Sequence, residues 1–251
     1  MQTHVFHLAN FTLREMTELG VVLRRLGEGA QSMEEVANRV VRTLYERLVD
    51  PDTGERSCAL VRFFKTHAYA ELDGPLRDFA SGMLHHRTAA PGMKCLSLLA
   101  TAGDRSEWNF RRASVTHQAI PLASEEIVSK VPMISSLLQQ LGVELGVLLN
   151  PTPGLLVEPG PASFNVFYVP DARGSPYIPD QDDFVRPIGV ESVLGFGGML
   201  PMGDIFVVIV FSRIRIPLET AELFRTLALN VKMAVLPFDD AVFDGAREQP
   251  T

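Results

Sequence analysis

The sequence has little of what several large classes of protein require. Its 251 residues include only two cysteines, Cys58 and Cys95, which is too few for a disulfide framework and predicts a reducing, cytoplasmic location. No apolar run is long enough to span a bilayer, and the N-terminal residues lack the basic and apolar regions of a signal peptide. With a net charge of −7, the chain also lacks the excess cations that nucleic acids and anionic membranes attract. We therefore expect a cytoplasmic protein that binds neither nucleic acid nor membrane.

Motifs of common enzymes and metal sites are also missing. The chain contains no Gly-x-Ser-x-Gly elbow, no His-Glu-x-x-His and no P-loop. The glycines of Gly195–Gly198 precede a turn and a strand instead of opening a helix, so they indicate close packing and not a phosphate loop. The histidine pairs His4/His7 and His85/His86 have no thiol or carboxylate nearby to complete a ligand set. The sequence predicts no catalytic residue and no metal site, and it leaves the cofactor unknown.

The most informative stretch of the chain is Glu191–Ser212. Its turn, Pro201–Asp204, combines Pro, Gly and Asp, three residues that favour tight turns. Ile205–Phe211 is an apolar run dominated by β-branched residues, typical of a strand that is covered on both faces. We interpret the stretch as an antiparallel hairpin at the centre of a sheet, with helices packed on at least one side.

The rest of the chain alternates between predicted helices and strands. Helices are predicted at Thr12–Leu26, Met33–Leu48, Gly74–Leu84, Ser124–Leu141 (with a kink at Pro132) and Leu218–Leu236. Strands are predicted at Cys58–Phe64, Cys95–Ala102, His117–Leu122 and Ser163–Val169, and loops at Gly103–Arg112 and Asn150–Pro161. The long connection Pro170–Pro187 is typical of a lid or a binding loop.

The order of these elements resembles that of a GAF-like domain, an antiparallel-sheet sensor fold related to PAS domains. The resemblance is carried by SVLGFGGMLPMGDIFVVIVFSRIRIP (Ser192–Pro217) and by the helix sequence ETAELFRTLALNVKMAVLP that follows it. Leu98–Val128 and Ser175–Val185 are similar to segments of GAF-like regions in bacterial two-component sensor histidine kinases. The resemblance implies an α+β fold with a central antiparallel sheet flanked by helices, in which the N- and C-terminal helices pack together. It divides the chain into an N-terminal helix (1–30, a dimerisation element), a sensor domain (31–237) and a disordered tail (238–251).

The function that the resemblance implies is non-enzymatic signal transduction. A small molecule would bind between the sheet and either the Ser124–Leu141 helix or the Pro170–Pro187 lid, and would shift the terminal helices of a homodimer. The partner would be a histidine kinase or another signalling protein. Aromatic and cationic side chains near these segments are the candidate ligand-binding residues: Trp108, Arg111, His117, Tyr168, Arg173 and Tyr177.

Two alternatives stay open at the level of the sequence. One is a small-molecule reductase that uses Cys95 or Cys58, and the other is a protein-interaction module without a ligand. The acidic cluster Asp171, Asp180, Asp182 and Asp183 lacks the regular spacing of a calcium loop and indicates a solvated loop.

Overall fold

An antiparallel sheet forms the centre of the fold. The computed structural model describes residues 4–84, 88–124, 128, 131–140, 164–178 and 180–244. Six strands of the described residues pair in the order β3-β2-β1-β6-β5-β4. They are β1 (Cys58–Ala68), β2 (Lys94–Gly103), β3 (Ala119–Pro121), β4 (Phe164–Val169), β5 (Ser192–Met199) and β6 (Ile205–Ser212). The predicted α+β class and antiparallel sheet are confirmed.

The predicted hairpin is the β5–β6 pair. The Leu200 amide donates to the carbonyl of Asp204 at 2.7 Å, and Gly203 takes a left-handed φ of 83° in the turn. A Cβ atom at Gly197 would collide with the carbonyl oxygen of Phe206, so the absence of a side chain there allows the two strands to approach. The glycines that resemble a phosphate loop therefore have a packing role in the sheet.

Helices cover one face of the sheet, which we call the helix face. The described helices longer than five residues are α1 (Leu13–Arg24), α2 (Met33–Arg47), α3 (Gly74–Met83), α4 (Pro132–Gln140) and α5 (Leu218–Val235), and of these α4 lies on the opposite face. Thr12 and Glu15 form the predicted capping box at the start of α1. The helix α1 packs against α5, and the rings of Phe11 and Phe224 lie 5.3 Å apart at that contact. No helix of the described ranges is both long and apolar enough to cross a membrane.

The opposite face of the sheet is covered by α4 and by loops, and we call it the open face. Side chains alternate between the two faces along β1, as a pleated strand requires. Val61 and Phe63 belong to the core under the helices, whereas Leu60 and Phe64 belong to the core on the open face. The strands at the centre of the sheet thus connect two separate apolar cores.

Several boundaries differ from those predicted. The strand β1 extends to Ala68, beyond the predicted end at Phe64. The polar side chains of Lys65, Thr66 and His67 are buried in the folded protein, so the strand does not end where the apolar sequence ends. The predicted lid contains short helical segments at Gln181–Val185 and Arg186–Ile188. Pro132 is the first residue of α4 instead of a kink within a helix, which is a position where its missing N–H costs nothing. The predicted loop Asn150–Pro161 lies outside the described residues.

The chain after α5 has a defined path as far as residue 244, although the sequence predicts a disordered tail from residue 238. We call residues 239–244 the strap. The amides of Met33 and Glu34, at the start of α2, donate to the carbonyls of Ala241 and Val242 at 2.9 and 2.8 Å. The Phe243 ring stacks on His67 at 5.0 Å. These partners are distant in sequence, which is why local composition does not predict the order.

A buried ionic cluster lies at one end of β1. Lys65 Nζ is 3.0 Å from Asp204 Oδ2 and 3.7 Å from Asp239, and Lys94 Nζ is 2.7 Å from Asp204 Oδ1. Thr66 also donates to Asp204 at 2.9 Å. Burial alone would raise the pKa of Asp204, but the two lysines outweigh burial and hold it below its usual range. The cluster ties the β5–β6 turn and the strap to β1.

Candidate functional site

A cavity of about 240 Å³ lies on the open face of the sheet. Its floor is formed by β1 and β6. Its walls include Val131, Met133 and Ile134 at the start of α4, and Ile178, Asp180, Asp183 and Phe184 of the predicted lid. The apolar lining consists of Leu60, Phe64, Trp108, Val115, Ile120, Val131, Met133, Ile134, Ile178, Phe184, Ile209 and Phe211. The polar lining consists of Arg62, Arg105, Thr116, His117, Asp180 and Asp183. The cavity is therefore mostly apolar with a few polar groups, as ligand sites usually are.

Aromatic side chains form one wall of the cavity. The rings of Trp108 and Phe184 meet edge to face at 5.5 Å, and Phe184 meets Phe211 in the same way at 5.1 Å. The guanidinium of Arg105 lies over the indole of Trp108 at 4.8 Å. A Cβ atom at Gly103 would come within 2.9 Å of the indole, so the glycine at the end of β2 makes room for Trp108. Because Trp108 is the single tryptophan of the chain, its fluorescence reports on this wall alone.

The polar corner of the cavity is built around Arg62, the one cation in the middle of the apolar strand β1. The residue is only 9% exposed. Its Nη2 donates to Ser114 Oγ at 3.3 Å, while its Nε has no hydrogen-bond partner among the described residues. Burial lowers the pKa of the guanidinium to about 10, although the negative charge of Asp180 opposes this effect. Arg62 thus retains an unused donor and a charge that no ion pair neutralises in the described structure.

A second polar group without a partner lies beside Arg62. Thr101 is directly opposite Arg62 in the β1–β2 ladder, so both side chains are on the open face. The Thr101 hydroxyl is buried and makes no hydrogen bond in the described ranges. Most buried polar atoms in proteins are hydrogen-bonded. Two buried polar atoms without partners, Arg62 Nε and the Thr101 hydroxyl, on one face of adjacent strands are therefore unusual.

His117 adds a strained backbone to the same corner. Its φ of 59° lies in the left-handed region, and it is the one non-glycine residue of the described ranges with a positive φ. Burial and then the positive charge of Arg62 lower the pKa of its imidazole, whereas Asp180 raises it. A neutral imidazole can both donate and accept a hydrogen bond. Residues in such backbone conformations are found preferentially at functional sites.

The structure brings together two of the six predicted ligand-binding residues. Trp108 and His117 both line the cavity. Arg111 instead forms buried ion pairs with Glu34 at 2.5 Å and Asp73 at 2.9 Å, which connect its loop to α2 and to the start of α3. These two carboxylates satisfy the charge of Arg111 within the protein.

The other three predicted residues lie away from the cavity lining. Tyr168 packs against the helix-face core, and its hydroxyl donates to the carbonyl of Ile216. Arg173 pairs with Glu191 at 2.5 Å, and Tyr177 is exposed. These residues flank or belong to the predicted lid in sequence. The direction of their side chains depends on the strand pleat and on turn geometry, which the sequence does not reveal.

Arg62 and Phe184 are the residues that sequence reasoning missed. The signal for Arg62 was present, because a lone cation inside CALVRFF must either be paired or face a polar site. Phe184 lies in an acidic stretch that indicates a loop, and its contact with Trp108 bridges distant parts of the chain. The cavity itself lies between the elements that were expected to enclose a ligand. Ligand binding there stays a prediction.

The two cysteines lie at opposite ends of the sheet. Cys58 begins β1, whereas Cys95 pairs with His67 near the end of β1, so about 30 Å of extended strand separates them. Burial raises the pKa of both thiols to about 12. Neither cysteine is in the lining of the cavity.

The described residues contain no cluster of His, Cys, Asp and Glu side chains that could hold a metal ion. Members of the acidic cluster are spread over the surface instead. Asp171 pairs with Arg215 at 3.3 Å and Asp182 with Arg186 at 2.7 Å.

Comparison with known proteins gives no assignment. No protein-family model matches the chain, and no curated protein matches it. The function has to be argued from the cavity and the fold.

Proposed function

We propose that this chain is a GAF-like regulatory domain that senses a small molecule and has no enzymatic activity of its own. The observation that carries the proposal is the cavity of about 240 Å³ on the sheet face opposite α1 and α5. Its volume lies below the ~300–1,000 Å³ typical of sites for drug-sized ligands, which suits a metabolite-sized molecule. The order of elements and the pairing of the terminal helices support the GAF-like assignment.

The central strands offer a path from ligand to helices. Along β1, Arg62 faces the cavity while its neighbours Val61 and Phe63 pack in the core under the helices. The strand β6 repeats the pattern, with Ile209 in the cavity and Val210 under the helices. Because a packed sheet is stiff, a ligand that displaces these strands displaces α5 and α1 as well. In a homodimer, this movement would alter the interface and so regulate a histidine kinase or another signalling partner.

The proposed dimer would use the outer surfaces of α1 and α5. Exposed apolar side chains on these helices are Leu13, Val21, Leu218, Leu229 and Met233. Leu13 is 67% exposed and Val21 54% exposed, so both are available for contact with a second copy of the chain. The double substitution Val21→Glu and Leu229→Glu should convert the dimer to a monomer, as measured by light scattering after gel filtration. An unchanged dimer mass would place the interface elsewhere.

The same exposed residues favour a second candidate, an interaction module that docks a partner and needs no ligand. The cysteine-based reductase has less support, because the two thiols are buried, far apart and outside the cavity. Native mass spectrometry of freshly purified protein, compared with its denatured mass, separates the two leading candidates. An extra mass that is lost on denaturation supports the sensor. Protein that carries no ligand and binds none in a metabolite screen supports the interaction module.

A further inference from the structure

The polar corner of the cavity has the composition of a site that binds an anion. The positive charge at this corner would be neutralised by a ligand and not by a side chain of the protein. Arg62 is 9% exposed. Among the described residues its Nε has no partner, and its one hydrogen bond goes to a neutral hydroxyl, that of Ser114. The charge of Asp180 raises the pKa of Arg62, but the two residues form no ion pair in the described structure. A buried guanidinium without a carboxylate partner is costly, so its position in the sheet calls for a compensating anion.

Neighbouring groups indicate how many negative charges the site accepts. His117 lines the cavity, and its neutral imidazole can donate or accept a hydrogen bond. The Thr101 hydroxyl, which has no partner among the described residues, lies opposite Arg62 in the β1–β2 ladder but is not part of the cavity lining. The second cation, Arg105, lies on the Trp108 face, while Asp180 and Asp183 add two negative charges to the lining. The lining thus carries two cations and two carboxylates, and of these four groups Arg62 alone is buried. One buried cation suits the single charge of a monoanion and disfavours a dianionic phosphate. A planar guanidinium binds a carboxylate especially well.

The rest of the lining determines the body of the ligand. Twelve of the lining residues are apolar, and four of these are aromatic. Three of the four aromatic residues, Trp108, Phe184 and Phe211, form one wall. An apolar chain or ring would occupy this space while its charged end stays at Arg62.

We propose that the cavity binds a small monocarboxylate with an apolar body, whose carboxylate is held by Arg62 with His117 beside it. This proposal rests on the proposed sensor function and specifies its ligand class. Nothing in it requires a covalent step.

The test uses Trp108 fluorescence on the full chain. Straight-chain acids from butanoate to octanoate and 3-phenylpropanoate are titrated up to 10 mM, each against its own amide, which has the same shape without the charge. For the best acid we expect affinity at least about tenfold higher than for its amide, because a charge-assisted hydrogen bond is lost in the amide. If no acid binds better than its amide, the proposal is wrong.

Variants locate the contact. Arg62→Met should reduce the preference for the acid over its amide to about twofold or less. Arg62→Lys keeps the charge but lacks the planar guanidinium, so it should retain part of this preference. Arg25→Met is the matched control, because Arg25 pairs with Glu28 on the exposed end of α1. Far-UV circular dichroism and a thermal melt show whether each variant is folded. If folded Arg62→Met still prefers the acid, the carboxylate binds elsewhere and the proposal is wrong.

Failure of the ligand class can be told apart from failure of the sensor function. A neutral or polyanionic molecule found in native mass spectra and displaced by cavity substitutions would overturn the carboxylate while the sensor function stands. Absence of any bound molecule, together with acids and amides that leave Trp108 fluorescence unchanged, would overturn both.

Discussion

Strand β1 carries two buried cations, and the two have opposite environments. Lys65 is 2% exposed and lies near the end of β1. Its Nζ is 3.0 Å from a carboxylate oxygen of Asp204 and 3.7 Å from one of Asp239. Arg62 faces the cavity and has a single hydroxyl partner. Burial of a charge is tolerated when the protein supplies its partner, as it does for Lys65. The contrast shows that the protein supplies carboxylate partners for one buried cation of this strand and only a neutral hydroxyl for the other in the described structure.

The largest effect should come from breaking the satisfied pair. Asp204→Asn leaves Lys65 and Lys94 without their shared carboxylate, and loss of one partner of a buried pair typically costs ~3–5 kcal/mol. Urea unfolding followed by circular dichroism measures the free energy of unfolding. The control is Asp182→Asn, which breaks an exposed pair with Arg186 and should cost less than ~1 kcal/mol. Equal losses in the two variants would contradict the structural role of the cluster.

A second pair of substitutions compares the two faces of the sheet. Leu194 lies in the filled core under the helices, whereas Leu60 lines the cavity. Leu194→Phe should lower the free energy of unfolding by ~1–3 kcal/mol, because overpacking a filled core forces shifts in its neighbours. Leu60→Phe has empty space to enter and should cost less than Leu194→Phe while weakening ligand binding. A larger loss for Leu60→Phe in urea unfolding would mean that the cavity cannot accommodate the ring.

Acid should weaken the helix face through His67. Burial, followed by the charge of Lys65, lowers the pKa of His67 to about 3, from 6.5 for an ordinary histidine. The unfolded chain therefore binds a proton that the native state does not, and stability falls as the pH drops from 6.5 towards 3. Between pH 6.5 and 4.5 we expect the wild type to lose about 2 kcal/mol more than His67→Phe.

The comparison is made by urea unfolding at both pH values. Phenylalanine can keep the stacking on Phe243, and neither ring nitrogen of His67 has a partner of normal hydrogen-bond geometry in the described residues. Parallel acid losses in the two proteins would mean that His67 protonates without cost.

The smallest change in stability should follow removal of the unsatisfied cation. Arg62→Met replaces a buried charge that lacks a counterion with an apolar side chain of similar length, so ligand-free protein should be unchanged or slightly more stable. Thermal melts of ligand-free wild type and variant measure this. A loss comparable to that of Asp204→Asn would show that Arg62 is structural after all, and would weaken the contrast between the two cations.

Local sequence patterns predicted the hairpin, the sheet class and most helices because their causes are local. The β5–β6 turn follows from the chemistry of Pro201, Gly203 and Asp204, and the start of α1 follows from Thr12 and Glu15. The cavity was predicted only as a region, since its shape depends on contacts between distant segments, such as that of Trp108 with Phe184.

Assignment of the site residues failed where tertiary partners decide the outcome. Arg111 resembles a ligand-binding cation in sequence, but Glu34 and Asp73 satisfy it from other elements. Arg62 resembles an ordinary strand residue in sequence, and it is distinguished only by a charge for which the surrounding apolar run offers no partner. The useful sequence signal was therefore the lone charge within an apolar run, and not the mixture of aromatic and cationic residues in a loop.

The strap also provides a natural probe of motion. Amides in the first turn of a helix normally have no intrahelical acceptor and exchange their protons with solvent readily. Those of Met33 and Glu34 donate to Ala241 and Val242 instead. Hydrogen–deuterium exchange at these two amides therefore counts how often the strap detaches from α2, with no label added to the chain.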